Sequence, residues 1–212
     1  MTSDRAVSVT GRIRGQALSN PDAVALHDLT TGSVTYGDLV QRVASVAAAL
    51  GDLRESAPVV VRCDWDLASA VNVLAVLWAG GAVVPISSED PPERVQEVVA
   101  RTGSTVVLHG AAGGTAGTLP GADLPDPLER GAGEARVVFF TSGSAGRPKA
   151  VVRSTLDLDR YVTIEIGNDD FLAARRTAVF MPLHFAAGFM VVLGGLAAGR
   201  FTAHVDARRV GR

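Results

Sequence analysis

Residues 67–88 read LASAVNVLAVLWAGGAVVPISS, 22 positions without an aspartate, glutamate, lysine or arginine. About 18 uncharged apolar residues suffice to cross a bilayer, so the reading of this stretch decides the fold. Three features argue against a membrane span: Asn72, the Gly80-Gly81 pair and Pro85. Alanine and glycine also supply much of its length. The stretch instead divides into a helix from Leu67 to Ala79, a C-cap turn at Gly80-Gly81 and a buried strand from Ala82 to Ile86. A second uncharged run, TAVFMPLHFAAGFMVVLGGLAAG over 177–199, is broken by Pro182, His184 and Gly194-Gly195. It divides the same way, into a strand over 178–181 and a helix over 186–198.

Working outward, the alternation continues. Two short strands, Val24–His27 and Ser33–Tyr36, flank the turn Thr31-Gly32. Thr35 and Asp38 stand at capping-box spacing and open a helix carrying Leu39, Val43, Val46, Ala47 and Leu50. Pro58–Arg62 has strand composition. Pro91-Pro92 suits a helix first turn, and Val95, Val98 and Val99 give that helix an apolar side. Strands are predicted at Thr105–Leu108, Arg136–Phe140, Ala150–Val152 and Phe201–Val205, with a helix over Leu156–Leu172. A Gly-, Pro- and Ala-rich loop runs from Gly110 to Gly133. Strands alternating with helices predict an α/β fold, a mostly parallel sheet with flanking helices.

Composition narrows the function. The 212 residues are 47% hydrophobic and 20% charged, which excludes disorder as the main state. A net charge of −2 gives no electrostatic case for nucleic acid. One cysteine, Cys63, excludes an internal disulfide framework, and four scattered histidines suggest no metal site. The first fifteen residues carry charges and no apolar core of a signal peptide. The expectation is a cytoplasmic chain with no membrane span and no nucleic-acid partner.

The segment richest in chemistry is VVFFTSGSAGRPKAV, 137–151. A buried strand empties into Thr141-Ser-Gly-Ser-Ala-Gly146, followed by Arg147-Pro148-Lys149. Small residues let successive backbone amides approach an anion, and the hydroxyls of Thr141, Ser142 and Ser144 add donors. Lys149 is the one lysine among 20 basic residues, and a compact ammonium suits phosphate oxygens. A solvated Gly/Ser loop with an incidental lysine is the alternative. The loop lacks the Gly-Lys-Ser/Thr of a Walker motif, and no serine sits in Gly-x-Ser-x-Gly.

In residue order TSGSAGRPK resembles the phosphate-binding loop of the adenylate-forming superfamily: acyl- and aryl-CoA synthetases, peptide-synthetase adenylation domains and luciferases. VTYGDLVQRVASVAAAL (34–50) is similar to that family's first motif. VLAVLWAGGAVVPISSEDPPERV (73–95) resembles its second, and AVFMPLHFAAGFMVVLGGLAAGR (178–200) its Pro-Leu-x-His segment. The resemblance covers most of the chain. It implies an incomplete N-terminal domain of an adenylate-forming enzyme. Residues 1–55 would be a hairpin and helix belonging to a second subdomain, and 56–172 a first α/β subdomain with its phosphate loop at 139–150. Residues 173–212 would start the second α/β subdomain.

Such enzymes bind ATP with Mg2+, adenylate a carboxylic acid, and commonly pass the acyl group to CoA or a phosphopantetheine carrier. By resemblance Thr141, Ser142, Gly143, Ser144, Gly146 and Lys149 would hold the β- and γ-phosphates. His184, Phe185 and Gly188 would lie at the acid. Ala186 stands where amino-acid-activating domains carry an aspartate, which predicts a substrate other than an ordinary α-amino acid. Ala145 replaces a hydroxyl residue of the loop. Ala150 replaces a glycine where the backbone would need freedom. The family's Mg2+ ligands, ribose aspartate and mobile lysine-bearing domain have no counterpart in these residues. The expectation is therefore a portion of a ligase, inactive alone or completed by a second chain. The competing expectation is a degenerate, non-catalytic module that binds nucleotide or a partner.

Overall fold

The computed structural model describes residues 8–29, 31–110, 124–141, 148–167 and 176–206. In chain order these form α1 (Val9–Ser19), β1 (Val24–Asp28), β2 (Gly32–Thr35), α2 (Tyr36–Leu50), β3 (Val59–Cys63), α3 (Leu67–Trp78), β4 (Val83–Ser87), α4 (Pro92–Thr102) and β5 (Val107–His109). They continue with β6 (Ala135–Thr141), β7 (Lys149–Ser154), α5 (Thr155–Gly167), β8 (Arg176–Val179), α6 (Ala186–Ala197) and β9 (Phe201–His204).

The deciding stretch forms a helix, a turn and a strand. Eleven of the twelve residues of α3 are buried. The helix is apolar all round because it is covered all round: α2 and β1 lie against it, as do β3, β4 and β5. Asp66 caps its first turn by accepting from Ser69 N at 2.9 Å. At its far end Gly80 takes φ +77°, the left-handed value that lets the chain reverse into β4. Among the described residues no helix is long and apolar enough to cross a membrane.

The strands form two sheets. One has the order β5-β3-β4-β6-β7 and the other β2-β1-β9-β8. In the first, β5, β3, β4 and β6 run parallel, and β7 turns back antiparallel to β6. In the second, β1, β9 and β8 are parallel and β2 closes a hairpin on β1. A single buried cluster runs from Ile13, Leu26 and Leu39 through α3 to Phe139, Phe189 and Leu196, so it joins both sheets. A smaller cluster of Val60, Val84, Ile86, Val98 and Val138 seats α4 on the opposite face of the five-stranded sheet.

Local chemistry explains the boundaries. Thr35 Oγ1 accepts from Asp38 N at 3.2 Å, the hydroxyl half of the expected box. Pro91 and Pro92 open α4, and Gly103 ends it in the left-handed region. The sequence reading missed α1, although Val9, Ile13 and Ala17 recur every fourth residue and are buried. Strand β5 begins two residues later than predicted, because Ser104 Oγ donates to Val106 O at 2.8 Å and bends the chain first. Strand β8 lies two residues earlier than predicted: Phe180 and Met181 leave the sheet ahead of Pro182 and stand exposed. Helix α5 begins at Thr155, and its predicted end at Leu172 lies outside the described residues.

One charged side chain is central to the packing. Arg136 is buried and donates to Leu77 O at 2.6 Å and to Gly81 O at 3.1 Å. It fixes the end of α3 to β6. Burial lowers its guanidinium to about 10.

Candidate active site

Strands β3, β4 and β6 are parallel, so Cys63, Ser87 and Thr141 end on the same side of their sheet. Ligands of open α/β sheets bind at such carboxyl ends. The β6–β7 hairpin brings Thr141 and Lys149 directly opposite each other, with Thr141 Oγ1 donating to Lys149 O at 3.5 Å. Both side chains are exposed. The intervening candidates Ser142, Gly143, Ser144 and Gly146, together with Ala145, lie outside the described residues.

Ala150 is different from the expectation. It pairs with Phe140 in the regular antiparallel ladder, and no described non-glycine residue has positive φ. The backbone there is one any residue adopts, so the missing glycine imposes no strain.

Side chains alternate across a strand, so Phe139 and Phe140 face opposite sides of β6. Phe139 meets Phe189 of α6 edge to face, with centroids 5.4 Å apart. On this side a pocket of about 480 Å³ opens between β6, β7, α5 and the first turn of α6. Its walls include Phe139, Tyr161, Ile164, Ala186, Ala187 and Met190, and Arg153, Asp157 and Arg160 complete it. The sequence reading picked out Ala186 only for what it lacks, and missed Ala187 and Met190. The signal was present: positions 186, 187 and 190 share one side of a helix.

The histidine and phenylalanine predicted near the acid line another cleft. His184 and Phe185 join Cys63, Asp64, Trp65, Ser87, Ser88, Glu89 and Pro182 around about 250 Å³. The carboxyl ends of β3 and β4 meet there the turn that follows β8. Their rings stack obliquely, with centroids 4.6 Å apart. His184 is half-buried, and its Nδ1 has no hydrogen-bond partner among the described residues. Burial lowers its pKa, opposed by the charges of Asp90 and Glu89. The floor is tied together by Arg62, which donates to Asp90 O at 3.1 Å and also to Ser88 O, and by Ser88 Oγ donating to Asp64. Burial pushes the Cys63 thiol well up, so it offers no thiolate.

Gly188 plays a packing part. A Cβ built on it would lie 2.5 Å from both Met181 O and Pro182 O. Glycine lets α6 cross the turn after β8 in close contact and so sets where His184 and Phe185 stand. Among the described residues no group of three or more His, Cys, Asp or Glu could hold a metal ion. A wider groove of about 600 Å³ around Ser8, Arg14, Glu129 and Asp159 includes Thr155, just past the far end of the same hairpin.

Residues 13–208 match the model of a family described as AMP-binding enzyme. The chain belongs to this family. Among curated proteins it is similar to the nonribosomal peptide synthetase agiA of Aspergillus flavus, 28% identical over 98% of this chain and 3% of that protein. Among solved structures it superposes on the nonribosomal peptide synthetase FmoA3 with AMPPNP bound: TM-score 0.75, 26% identity, 94% of this chain and 23% of that one. The form of FmoA3 with α-methyl-L-serine-AMP bound gives TM-score 0.74 and 27% identity, over 94% and 24% of the two chains. This chain thus spans less than a quarter of these relatives. An amino-acyl adenylate in one neighbour, and peptide synthetases among the relatives, lend no support to excluding an α-amino acid.

Proposed function

We propose that these residues are the N-terminal portion of an ATP-dependent carboxylate-activating enzyme, with the triphosphate at the β6–β7 turn and the acid in the pocket beside α6. The observation that carries this reading is an adjacency. Thr141 and Lys149 close the hairpin end, and Phe139, two residues upstream on the same face as Thr141, forms the pocket wall. An acid in that pocket would lie against the strand that leads into the nucleotide loop.

The chemistry is an in-line displacement. A carboxylate oxygen forms a bond to the α-phosphorus, the bond from that phosphorus to the bridging oxygen breaks, and pyrophosphate departs with the electron pair. The loop's task is positioning and charge neutralisation. Thr141, Ser142 and Ser144 offer hydroxyls, Gly143 and Gly146 let backbone amides approach, and Lys149 sets a full charge beside the β- and γ-phosphates. The apolar walls made by Phe139, Tyr161, Ile164 and Met190 suit an acyl group with hydrophobic bulk, amino acid or not. His184 and Phe185 border the neighbouring cleft, and the acceptor would be the thiol of CoA or of a phosphopantetheine carrier. Mg2+ would travel with the nucleotide. A cytoplasmic location would accord with ATP as co-substrate.

The hairpin and α2 share a sheet and core with β8, β9 and α6, which supports reading residues 1–55 and 173–212 as one subdomain around 56–172. The 212 residues alone would bind ATP without turning it over, and the family's remaining motifs would complete the reaction. The regular geometry of Ala150 lends no support to a degenerate module. Carboxylate-dependent ATP–pyrophosphate exchange, absent with the chain alone and present on adding the missing portion of a relative, tests this. Exchange by the uncontaminated chain alone contradicts it.

A further inference from the structure

We propose that Arg101 is a positioning residue for the phosphate loop, holding the peptide that precedes Lys149. The proposal rests on the nucleotide-binding reading above. On the α4 side of the sheet, Phe140 presents its ring to two arginines. The Arg101 guanidinium carbon lies 4.9 Å from the ring centroid and that of Arg94 5.4 Å. Glu97 stands between them, 3.0 Å from Arg94 and 3.5 Å from Arg101. Residues 94, 97 and 101 share one face of α4 by their three- and four-residue spacing. Of the two arginines, Arg101 reaches the described part of the hairpin: its Nη1 donates to Pro148 O at 2.7 Å.

That last bond adds to the ladder pairing at the hairpin end. Among the described residues β7 is an edge strand paired only with β6, and Lys149 to Arg153 are all exposed. Pro148 itself has no N–H to donate, so its carbonyl is the backbone group of that residue that a side-chain donor can hold. The carbonyl carbon it belongs to is bonded directly to the nitrogen of Lys149. Exposed ion pairs contribute little, so Glu97 acts mainly by orienting the guanidinium. The charged donor, flattened on Phe140, fixes the carbonyl in direction as well as distance.

The sequence supplies a control. Arg94 carries the same charge and lies over the same ring, and it forms no hydrogen bond to the described residues of the hairpin. Arg101→Ala should weaken ATP on the order of tenfold, the range of one lost hydrogen bond to a charged donor, and weaken AMP much less. Arg94→Ala should leave both near wild type. Arg101→Lys should recover part of the loss, because an ammonium can donate to Pro148 O without lying flat on Phe140. Hydrogen exchange gives a readout independent of ligand. In Arg101→Ala the amides of Thr141 and Ala150 should exchange faster, while Val137 and Val138 at the hairpin's other end stay protected and the melting temperature is unchanged.

The test is calorimetric titration of ATP and AMP into wild type, Arg101→Ala, Arg101→Lys and Arg94→Ala, paired with hydrogen exchange on the same proteins. Equal ATP affinity in wild type and Arg101→Ala overturns the positioning role. Equal losses in Arg94→Ala and Arg101→Ala also overturn it, in favour of a general charge effect. If the wild type binds no ATP, the nucleotide reading falls. Unchanged exchange at Thr141 and Ala150 would then refute the hold on the hairpin as well.

Discussion

His204 ends β9 in the middle of the four-stranded sheet, with Asp28 of β1 and Val179 of β8 as its lateral partners. It is 2% exposed, and neither ring nitrogen has a hydrogen-bond partner among the described residues. Asp28 beside it is occupied: it accepts from Leu67 N at 2.8 Å and from Thr31 N at 2.6 Å. Burial therefore dominates and lowers His204 from 6.5 to about 4, with Asp28 and Asp66 pulling the other way. The native state resists the proton that the unfolded chain takes up below pH 6.5. Stability is fully present above that value and is lost as pH falls toward 4. The gap between the two values corresponds to about 3 kcal/mol, a large part of the net stability of an ordinary domain. The perturbation is His204→Leu, which fills a similar volume and cannot titrate. The assay is urea unfolding of both proteins at pH 7, 6, 5 and 4. The stability difference, variant minus wild type, should grow in the variant's favour by about 3 kcal/mol between pH 7 and pH 4. Titration of His184 and Asp159 is common to both proteins and cancels in the difference. Parallel curves over that range would refute the reasoning.

Three further outcomes are expected. Gly188→Ala sets a methyl against Met181 O and Pro182 O, so it should cost about 1–3 kcal/mol by denaturant midpoint and alter the near-UV signal of the His184–Phe185 turn. Arg136→Ala strips two buried carbonyls, Leu77 O and Gly81 O, of their charged donor and leaves a void. It should destabilise by several kcal/mol, on the order of 3–5 as for a broken buried charged group, read by thermal unfolding. Met190→Trp should fill the pocket beside α6 and abolish binding of bulky carboxylic acids in competition assays. ATP affinity should change far less, because neither Thr141 nor Lys149 lines that pocket.

Much of this was legible in the residues, for identifiable reasons. The α3–β4 unit announces itself because two glycines separate a long apolar run from a β-rich one, and the helix needs no polar face when structure covers every side. The break between β6 and β7 was legible because small Ser and Gly residues follow a buried strand and a second strand resumes at Ala150. Other features were hidden. α1 has a sparse apolar stripe on a polar background, so Val9, Ile13 and Ala17 signal a helix only once their common burial is seen. Arg136 reads as the start of a strand, since nothing local says that its guanidinium reaches the end of a helix some sixty residues earlier. His184 and Phe185 stood out by type, while Ala187 and Met190, which line the pocket, are ordinary helix residues by type. Gly188 drew attention as a candidate at the acid, and its closest approach is to backbone oxygens.

The central claim is that the β6–β7 hairpin binds the phosphates of ATP through Lys149. Calorimetric titration of ATP and AMP into the wild-type chain and Lys149→Ala tests it most directly. The account predicts that ATP weakens by roughly tenfold to over a hundredfold, the range of one hydrogen bond to a charged group, while AMP changes little. Equal losses for ATP and AMP, or no ATP binding by the wild-type chain, would contradict it.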